Sequence, residues 1–318
     1  MHIFNVIFQS VVALLGIGVL GFWIIKRGIL PENVLGFLSK LAIDIALPSV
    51  VFANVILEFS PSEFPGWWQL PLWWLFFSAV ALCITLITMF ISQKSTRSEF
   101  AVSLFFQNGI FFPLIVLNGL FGAGAPYISQ LFIFIVFHPP MFFGTSRLFF
   151  RRKDEDAKGK INLNRILNPV LIATFTAVII RLLGVETYLP EFFVSIFKIL
   201  GGMTLPLLMI ILGGSLYMDF QHKGRIYYAE IVKFIITKNI IFPLVFLGLL
   251  ILIRPDYNIA LILLLQSAVP PITGVPIATE RNGGNRTITN QFVLASFVFA
   301  IVSVPAVFIL FSRFFPIP

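Results

Sequence analysis

Runs of about 20 apolar residues follow one another along the whole chain, and they constrain its fold more than any other feature. The 318 residues are 58% hydrophobic and 11% charged, whereas soluble proteins carry about 25% charged residues. A bilayer leaves no water for backbone groups, so each run must satisfy its own hydrogen bonds as a helix. The sequence therefore predicts an all-α membrane protein with ten transmembrane helices, at 3–25, 34–57, 67–92, 99–121, 125–150, 166–184, 189–217, 226–253, 258–280 and 287–314.

Basic residues fall mainly in the loops that follow the odd-numbered helices. Lys26 and Arg27 follow helix 1, and a cluster of lysines and arginines lies in the hydrophilic segment 151–165. Because positively charged loops stay in the cytoplasm, we expect both termini to be extracytoplasmic and 151–165 to be a cytoplasmic linker. The same rule explains the net charge of +8, so membrane lipid is an expected partner and nucleic acid is not.

The two halves of the chain repeat several residues at a nearly constant spacing. The pairs, 158 or 159 residues apart, are Pro31 and Pro190, Lys40 and Lys198, Pro48 and Pro206, Gln107 and Gln266, and Pro113 and Pro271. Because each half holds an odd number of spans, the second copy must lie upside down in the membrane. We therefore expect two inverted five-helix repeats, 1–150 and 166–318, joined by the linker.

Helices 4 and 9 are interrupted in mid-span by polar and helix-breaking residues. A proline cannot donate its backbone hydrogen bond and clashes with the carbonyl four residues earlier, so both helices should break. Paired broken helices indicate the binding site of a secondary transporter, although two proline kinks patched by neighbouring helices are the simpler alternative. The expected substrate-binding residues are Gln107, Asn108, Gly109, Pro113, Gln266, Ser267, Pro270, Pro271 and Thr273.

The broken helices also predict the charge of the ligand. Each break starts a new helix near the bilayer midplane, and a helix start carries about half a positive charge with unpaired N–H groups. Facing helix starts attract an anion, and neighbouring amides and hydroxyls can bind a carboxylate. The expected partner is therefore a small organic anion.

Three ionisable residues are candidates for ion coupling. Asp44 is the acidic residue deepest within an apolar helix, and an intramembrane ionisable group is a functional hypothesis by default. Lys40 lies four residues before it, so an ion pair on one helix face is an equally good interpretation. His138 is either a packed hydrogen-bonding residue or a proton relay. No cofactor or metal is expected, and coupling to H⁺ or Na⁺ stays open.

Short motifs in matching order along the chain resemble the auxin efflux carrier family, which belongs with the bile acid/sodium symporters in a larger inverted-repeat group. The motifs are Leu41–Phe52, Gln107-Asn108-Gly109 through Pro113, Gly119-Leu120-Phe121-Gly122, Leu205–Leu208 through Gly213–Leu216, and Ser267-Ala268-Val269-Pro270-Pro271. The resemblance covers essentially the whole chain. Asn108 matches the family's polar residue on helix 4, whereas Ser267 stands where relatives carry asparagine on helix 9.

The resemblance implies a division into two units, in which helices 4 and 9 cross as broken pairs, and a mode of transport. A scaffold would comprise 1–57 and 166–217, and a transport unit would comprise 67–150 and 226–318. The transport unit would move substrate by an elevator-type, alternating-access motion. The family implies organic acids such as malate, or an auxin-like acid, as substrates. The short linker is similar to that of bacterial members, which implies the bacterial inner membrane, and a homodimer is compatible with the family.

Other functional classes fit the sequence less well. An ion channel needs a continuous polar pore, for which polar residues are too sparse. An intramembrane aspartyl protease needs two membrane aspartates, and Asp44 has no second one. The chain is therefore not expected to be an enzyme. A ligand-binding sensor built on a transporter fold, which would bind the anion without moving it, is the main alternative.

Overall fold

A computed structural model of the protein describes residues 2–122, 124–150, 169–221 and 226–316. It is 81% helical, and the described residues form no β-strand. Five helical stretches among them are long and apolar enough to cross a membrane: Val34–Glu58, Pro65–Ile91, Glu191–Met218, Tyr228–Ile253 and Arg286–Ser312. Shorter apolar helices occupy the other predicted spans. The predicted linker 151–165 lies outside the described residues.

The first half of the chain folds into eight α-helical pieces. They are α1 (His2–Lys26), α2 (Val34–Leu41), α3 (Leu47–Glu58), α4 (Leu70–Thr88), α5 (Arg97–Phe105), α6 (Phe111–Phe121), α7 (Pro126–Phe134) and α8 (His138–Thr145). A π-helical turn at Ala42–Ala46 joins α2 to α3, and 3₁₀ turns flank α4 at Pro65–Gln69 and Met89–Ile91. A further 3₁₀ turn, Ser146–Phe149, follows α8.

The described part of the second half has a similar sequence of helices. They are α9 (Pro169–Leu183), α10 (Glu191–Gly202), α11 (Thr204–Gln221), α12 (Tyr228–Ile235), α13 (Phe242–Ile253), α14 (Tyr257–Ala268), α15 (Val275–Arg281) and α16 (Arg286–Ser312). A short 3₁₀ turn at Glu186–Tyr188 precedes α10, and a π-helical turn at Ile236–Ile241 joins α12 to α13.

Most helix interruptions lie just before a proline, which explains why the structure has more of them than the sequence predicts. The predicted helix 125–150 breaks between α7 and α8, ahead of Pro139, and the predicted helix 189–217 is interrupted at Met203, ahead of Pro206. Pro48 and Pro243 follow the two π-helical turns. Each proline removes one intrahelical bond, and the irregularity ahead of Pro48 and Pro243 takes the form of a single π-helical turn within the helix.

Glycines bring α1 and α11 into backbone contact. A side chain at Gly213 would collide with the carbonyl of Gly18, and one at Gly21 would collide with the backbone of Ile210. Small residues allow this close approach, on which helix association within a membrane depends. The neighbouring helix α3 packs against both α9 and α10, where Gly201 leaves room for the backbone of Val50.

The broken helices lie at the centre of the protein. In α14 every residue from Ile259 to Ala268 is buried, and the first seven residues of α6 are buried as well. Aromatic rings surround the crossing, among them Phe106, whose ring meets that of Phe142 edge-on at 5.0 Å. The backbone that leaves the helical form is thus enclosed by protein, as it must be at membrane depth.

Candidate functional site

Two unwound segments, 106–110 between α5 and α6 and 269–274 between α14 and α15, cross and pair with each other. Gln107 and Pro271 form an isolated antiparallel β-bridge. The backbone N–H of Asn108 donates to the Pro270 carbonyl at 2.8 Å, and the backbone N–H of Ile272 donates to the Phe106 carbonyl at 2.9 Å. Both predicted helices are therefore broken in the structure, and the two unwound segments form backbone hydrogen bonds with each other.

Side chains satisfy two carbonyls that prolines leave free. Pro113 cannot bond to the carbonyl of Gly109, and Gln266 Nε2 donates to that carbonyl at 2.7 Å. Pro271 likewise cannot bond to the carbonyl of Ser267, and Lys238 Nζ donates to it at 3.1 Å. The broken backbone therefore depends on polar groups from elsewhere in the chain, as the low-dielectric interior requires.

The start of α6 is an electropositive point at the crossing. Asn108 Oδ1 accepts a hydrogen bond from the backbone N–H of Phe111, the first residue of α6, at 3.3 Å. Pro113 is the third residue of this helix, where a missing N–H costs no intrahelical bond. The helix dipole places partial positive charge here. The second helix start, at Val275, belongs to a helix of only seven residues.

Several buried polar atoms at the crossing have no hydrogen-bond partner in the described part of the chain. They are both side-chain polar atoms of Gln107, Asn108 Nδ2 and His138 Nε2. Gln107 is 0% exposed and Asn108 is 1% exposed. An unsatisfied buried polar group costs about 1–3 kcal/mol, so each such group needs an explanation. The amides offer both donors and acceptors to a polar ligand.

The remaining predicted binding residues take different positions. The hydroxyl of Ser267 donates to the Leu264 carbonyl of its own helix at 2.7 Å, so its side chain is engaged. Thr273 is half-buried in the second break. Gly109 lies so close to Gln266 that a side chain there would come within 2.9 Å of Oε1. The structure therefore groups Gln107, Asn108, Gly109, Gln266, Pro270 and Pro271 at one point, with Ser267, Pro113 and Thr273 at its edges.

The ion pair considered for Lys40 and Asp44 does not form. Both side chains are exposed, and the ion pairs found among the described residues do not include them. Exposed pairs of this kind are worth only about 0.3–0.5 kcal/mol, and a base placed before the acid is the weaker orientation. The structure thus shows no Lys40–Asp44 ion pair among the described residues, and Asp44 stays a candidate for ion coupling.

His138 lies beside the crossing, at the first position of α8. Its ring is 4% exposed, meets Trp74 edge-on at a centroid distance of 6.5 Å, and makes a hydrogen-bonding contact with the backbone of Gln107. A packed, backbone-bound histidine was one of its two predicted roles, and its free Nε2 leaves the other role open.

Lys238 also lies at the crossing, although from the sequence alone its side chain could either snorkel to the membrane interface or face the cavity. It lies in the π-helical turn between α12 and α13, is 0% exposed, and contacts both the Ser267 carbonyl and the ring of Phe242. The available signal was its place in the middle of the apolar span Tyr228–Ile253, because a charged residue there is seldom without a function.

The helices and the enclosed crossing define an integral membrane protein of the transporter class. The chain matches the sequence model of a family described as membrane transport protein, over residues 6–146 and 153–308. These two segments span nearly the whole chain, so the protein belongs to this family, the auxin efflux carrier family. No curated protein matches the chain.

Proposed function

We propose that the protein is a secondary transporter of a small organic anion, a carboxylate such as malate or an auxin-like acid. The observation that carries the proposal is the crossing, where the buried amides of Gln107 and Asn108 lack partners beside the start of α6. A carboxylate would accept hydrogen bonds from the amide N–H groups and lie at the positive end of the helix dipole.

The proposed architecture consists of two inverted five-helix repeats. Breaks in equivalent helices support it, because Gln107 and Pro271 pair in antiparallel fashion at the centre. We further propose that 1–57 and 166–217 form the scaffold and that 67–150 and 226–318 form the transport unit. The packing of α1 on α11, and of α3 on α9 and α10, supports the first of these groupings.

Alternating access would then come from an elevator-type movement of the transport unit along the scaffold. Substrate bound at the crossing would travel with the unit, because both unwound segments belong to it. The protein would lie in a bacterial inner membrane, with both termini outside the cytoplasm. We propose Asp44 as the residue that couples transport to a proton. Its side chain is exposed, and it forms no ion pair with a lysine or arginine among the described residues.

Uptake into reconstituted vesicles tests the transport proposal. Radiolabelled malate and indole-3-acetate are offered with and without a pH gradient and with and without Na⁺. The wild type is expected to accumulate at least one of them, and Asn108→Ala is expected to lower uptake about tenfold or more, since a hydrogen bond to a charged group is worth about 1.5–3 kcal/mol.

Asn33→Ala is the matched control, because Asn33 is exposed at the start of α2 and its side chain makes no capping hydrogen bond. Unchanged uptake in Asn108→Ala would remove Asn108 from the site. Ligand binding without any flux would favour the sensor over the transporter. For Asp44→Asn, a pH dependence identical to that of the wild type would end its role in proton coupling.

A further inference from the structure

Lys238 places a side-chain amine at the crossing of the two broken helices. Its Nζ donates to the Ser267 carbonyl, one of the two carbonyls freed by Pro270 and Pro271, at 3.1 Å. The side chain is 0% exposed and is among the largest fully buried ones. The side chain extends from the π-helical turn Ile236–Ile241, between α12 and α13, to the end of α14.

This buried amine has no negatively charged partner among the described residues. Its contacts are one neutral carbonyl and the ring of Phe242, whose centroid lies 4.4 Å from Nζ. The nearest lysine on the same helix, Lys233, is paired with Glu230 at 2.7 Å, and the other ion pairs found are Arg181–Glu186 and Arg286–Glu280. A buried ammonium without a counter-charge is strongly unfavourable.

The ammonium also has unused hydrogen-bonding capacity. Lysine offers three donors, and the Ser267 carbonyl takes one of them. Asn239, the next residue, is committed elsewhere, since its amide bonds to the Ser296 carbonyl and hydroxyl on α16. The Asn239 side chain therefore does not take up the remaining N–H donors of Lys238, which are available at the crossing.

We propose that Lys238 is a substrate-binding residue whose ammonium pairs with the carboxylate of the transported anion. This inference rests on the proposed function and adds the residue that supplies the charge. The amides of Gln107 and Asn108 are neutral and would bind a carboxamide nearly as well as a carboxylate. Lys238 would make the site select for negative charge, because the anion provides the counter-charge that the protein lacks.

Charge selectivity tests this role. The full-length protein in detergent is titrated with indole-3-acetate and indole-3-acetamide, and with malate and malamide, using microscale thermophoresis. The wild type is expected to bind one carboxylate at least about tenfold more tightly than its amide. Lys238→Gln, which still has an N–H donor for Ser267 but no charge, is expected to bring that ratio to about one. Lys238→Arg is expected to keep the preference for the carboxylate.

A purely structural lysine would give a different result, because loss of packing weakens both members of a pair equally and leaves their ratio unchanged. A Lys238→Gln protein that keeps the wild-type ratio would overturn the inference and leave the transport proposal intact. Lys233→Gln is the control, since it removes a lysine from the same helix, and its ratio should equal that of the wild type. Lys238→Met, a second uncharged variant, serves if the glutamine protein does not fold.

The same titration separates the two proposals. A wild type that binds none of the four probes would overturn the proposed carboxylate function, and the role of Lys238 with it. A wild type that binds acid and amide equally would overturn only the role of Lys238. Thermal unfolding of each variant accompanies the titration. Lys238→Gln is expected to be at least as stable as the wild type, since it removes an uncompensated buried charge and keeps an N–H donor for Ser267. Lys238→Met leaves the Ser267 carbonyl unsatisfied and is expected to be less stable than Lys238→Gln.

Discussion

Gln266 Nε2 donates a 2.7 Å hydrogen bond to the carbonyl of Gly109. This bond joins the end of α14 to the break between α5 and α6, and it satisfies the Gly109 carbonyl, to which Pro113 has no N–H to donate. Because both groups are buried at the centre of the protein, no water is at hand to replace the bond. The two broken helices therefore stabilise each other.

Replacing Gln266 by leucine should destabilise the crossing. The substitution keeps the apolar volume but leaves the Gly109 carbonyl unsatisfied, which costs about 1–3 kcal/mol in a buried site. We expect a lower free energy of unfolding in urea and a lower Tm. Gln93→Leu is the control, since Gln93 is exposed, and an equal loss of stability in both proteins would contradict the role given to this bond.

Gly109→Ala should have a related effect by steric means. Its methyl group would lie 2.9 Å from Gln266 Oε1, so the amide must move and its hydrogen bond must lengthen. Because the atom it meets is the end of a flexible side chain, which can move aside, we expect a loss near the lower end of the roughly 1–3 kcal/mol typical of overpacking. It is measured as a fall in Tm together with a fall in uptake into vesicles.

Gly36→Ala is the matched control for this substitution. Gly36 lies in α2, where the methyl group of an alanine would meet no neighbouring atom within 4 Å, and alanine is the better helix former by about 1 kcal/mol. This variant is expected to be as stable as the wild type or more so. If Gly109→Ala were equally stable, the close contact between Gly109 and Gln266 would contribute nothing to the stability of the protein.

The sequence predicted helix positions well, because long apolar runs in a bilayer have few alternatives to helix. It also located the breaks in the two crossing helices, since prolines there coincide with glycine and with the side-chain amides of Gln107 and Asn108. It missed the interruptions ahead of Pro48 and Pro243, which take the form of π-helical turns. A proline alone does not tell whether the freed carbonyl will be satisfied locally or by another segment.

Contacts between distant residues were beyond prediction for a different reason. Lys238 and Ser267 are 29 residues apart and Gly109 and Gln266 are 157 apart, and a single sequence shows only that each is polar in an apolar span. Lys238 lies in a π-helical turn that the sequence did not predict. The local sequence pattern therefore identified candidate polar residues, and tertiary packing determined which of them are in contact.

Gly213→Ala should disturb the contact between α1 and α11. The added methyl group would collide with the carbonyl of Gly18, and backbone atoms cannot move aside as a flexible side chain can. We expect a loss of several kcal/mol, at or above the upper end of the roughly 1–3 kcal/mol typical of overpacking, measured as a fall in Tm and in the yield of folded protein. Gly16→Ala on α1 meets no atom within 4 Å and should leave both unchanged.

Glu230 ties the start of α12 to the turn that precedes α5. Its carboxylate is buried, accepts from the Ser92 hydroxyl at 2.7 Å, and pairs with Lys233 at 2.7 Å. Glu230→Gln removes the ion pair and places an amide donor among hydroxyl donors. Lys233 is 34% exposed, so solvent screens part of the loss, and we expect a destabilisation of about 1–3 kcal/mol.

Chemical unfolding followed by tryptophan fluorescence measures this loss. The comparison is Glu280→Gln, which breaks the ion pair between Glu280 and Arg286, where the glutamate side chain is 58% exposed. Surface pairs contribute about 0–1 kcal/mol, so Glu280→Gln should change stability much less than Glu230→Gln. Equal effects would mean that burial of the Glu230 carboxylate, and its bonds to the 92–96 turn, add nothing to the stability of the fold.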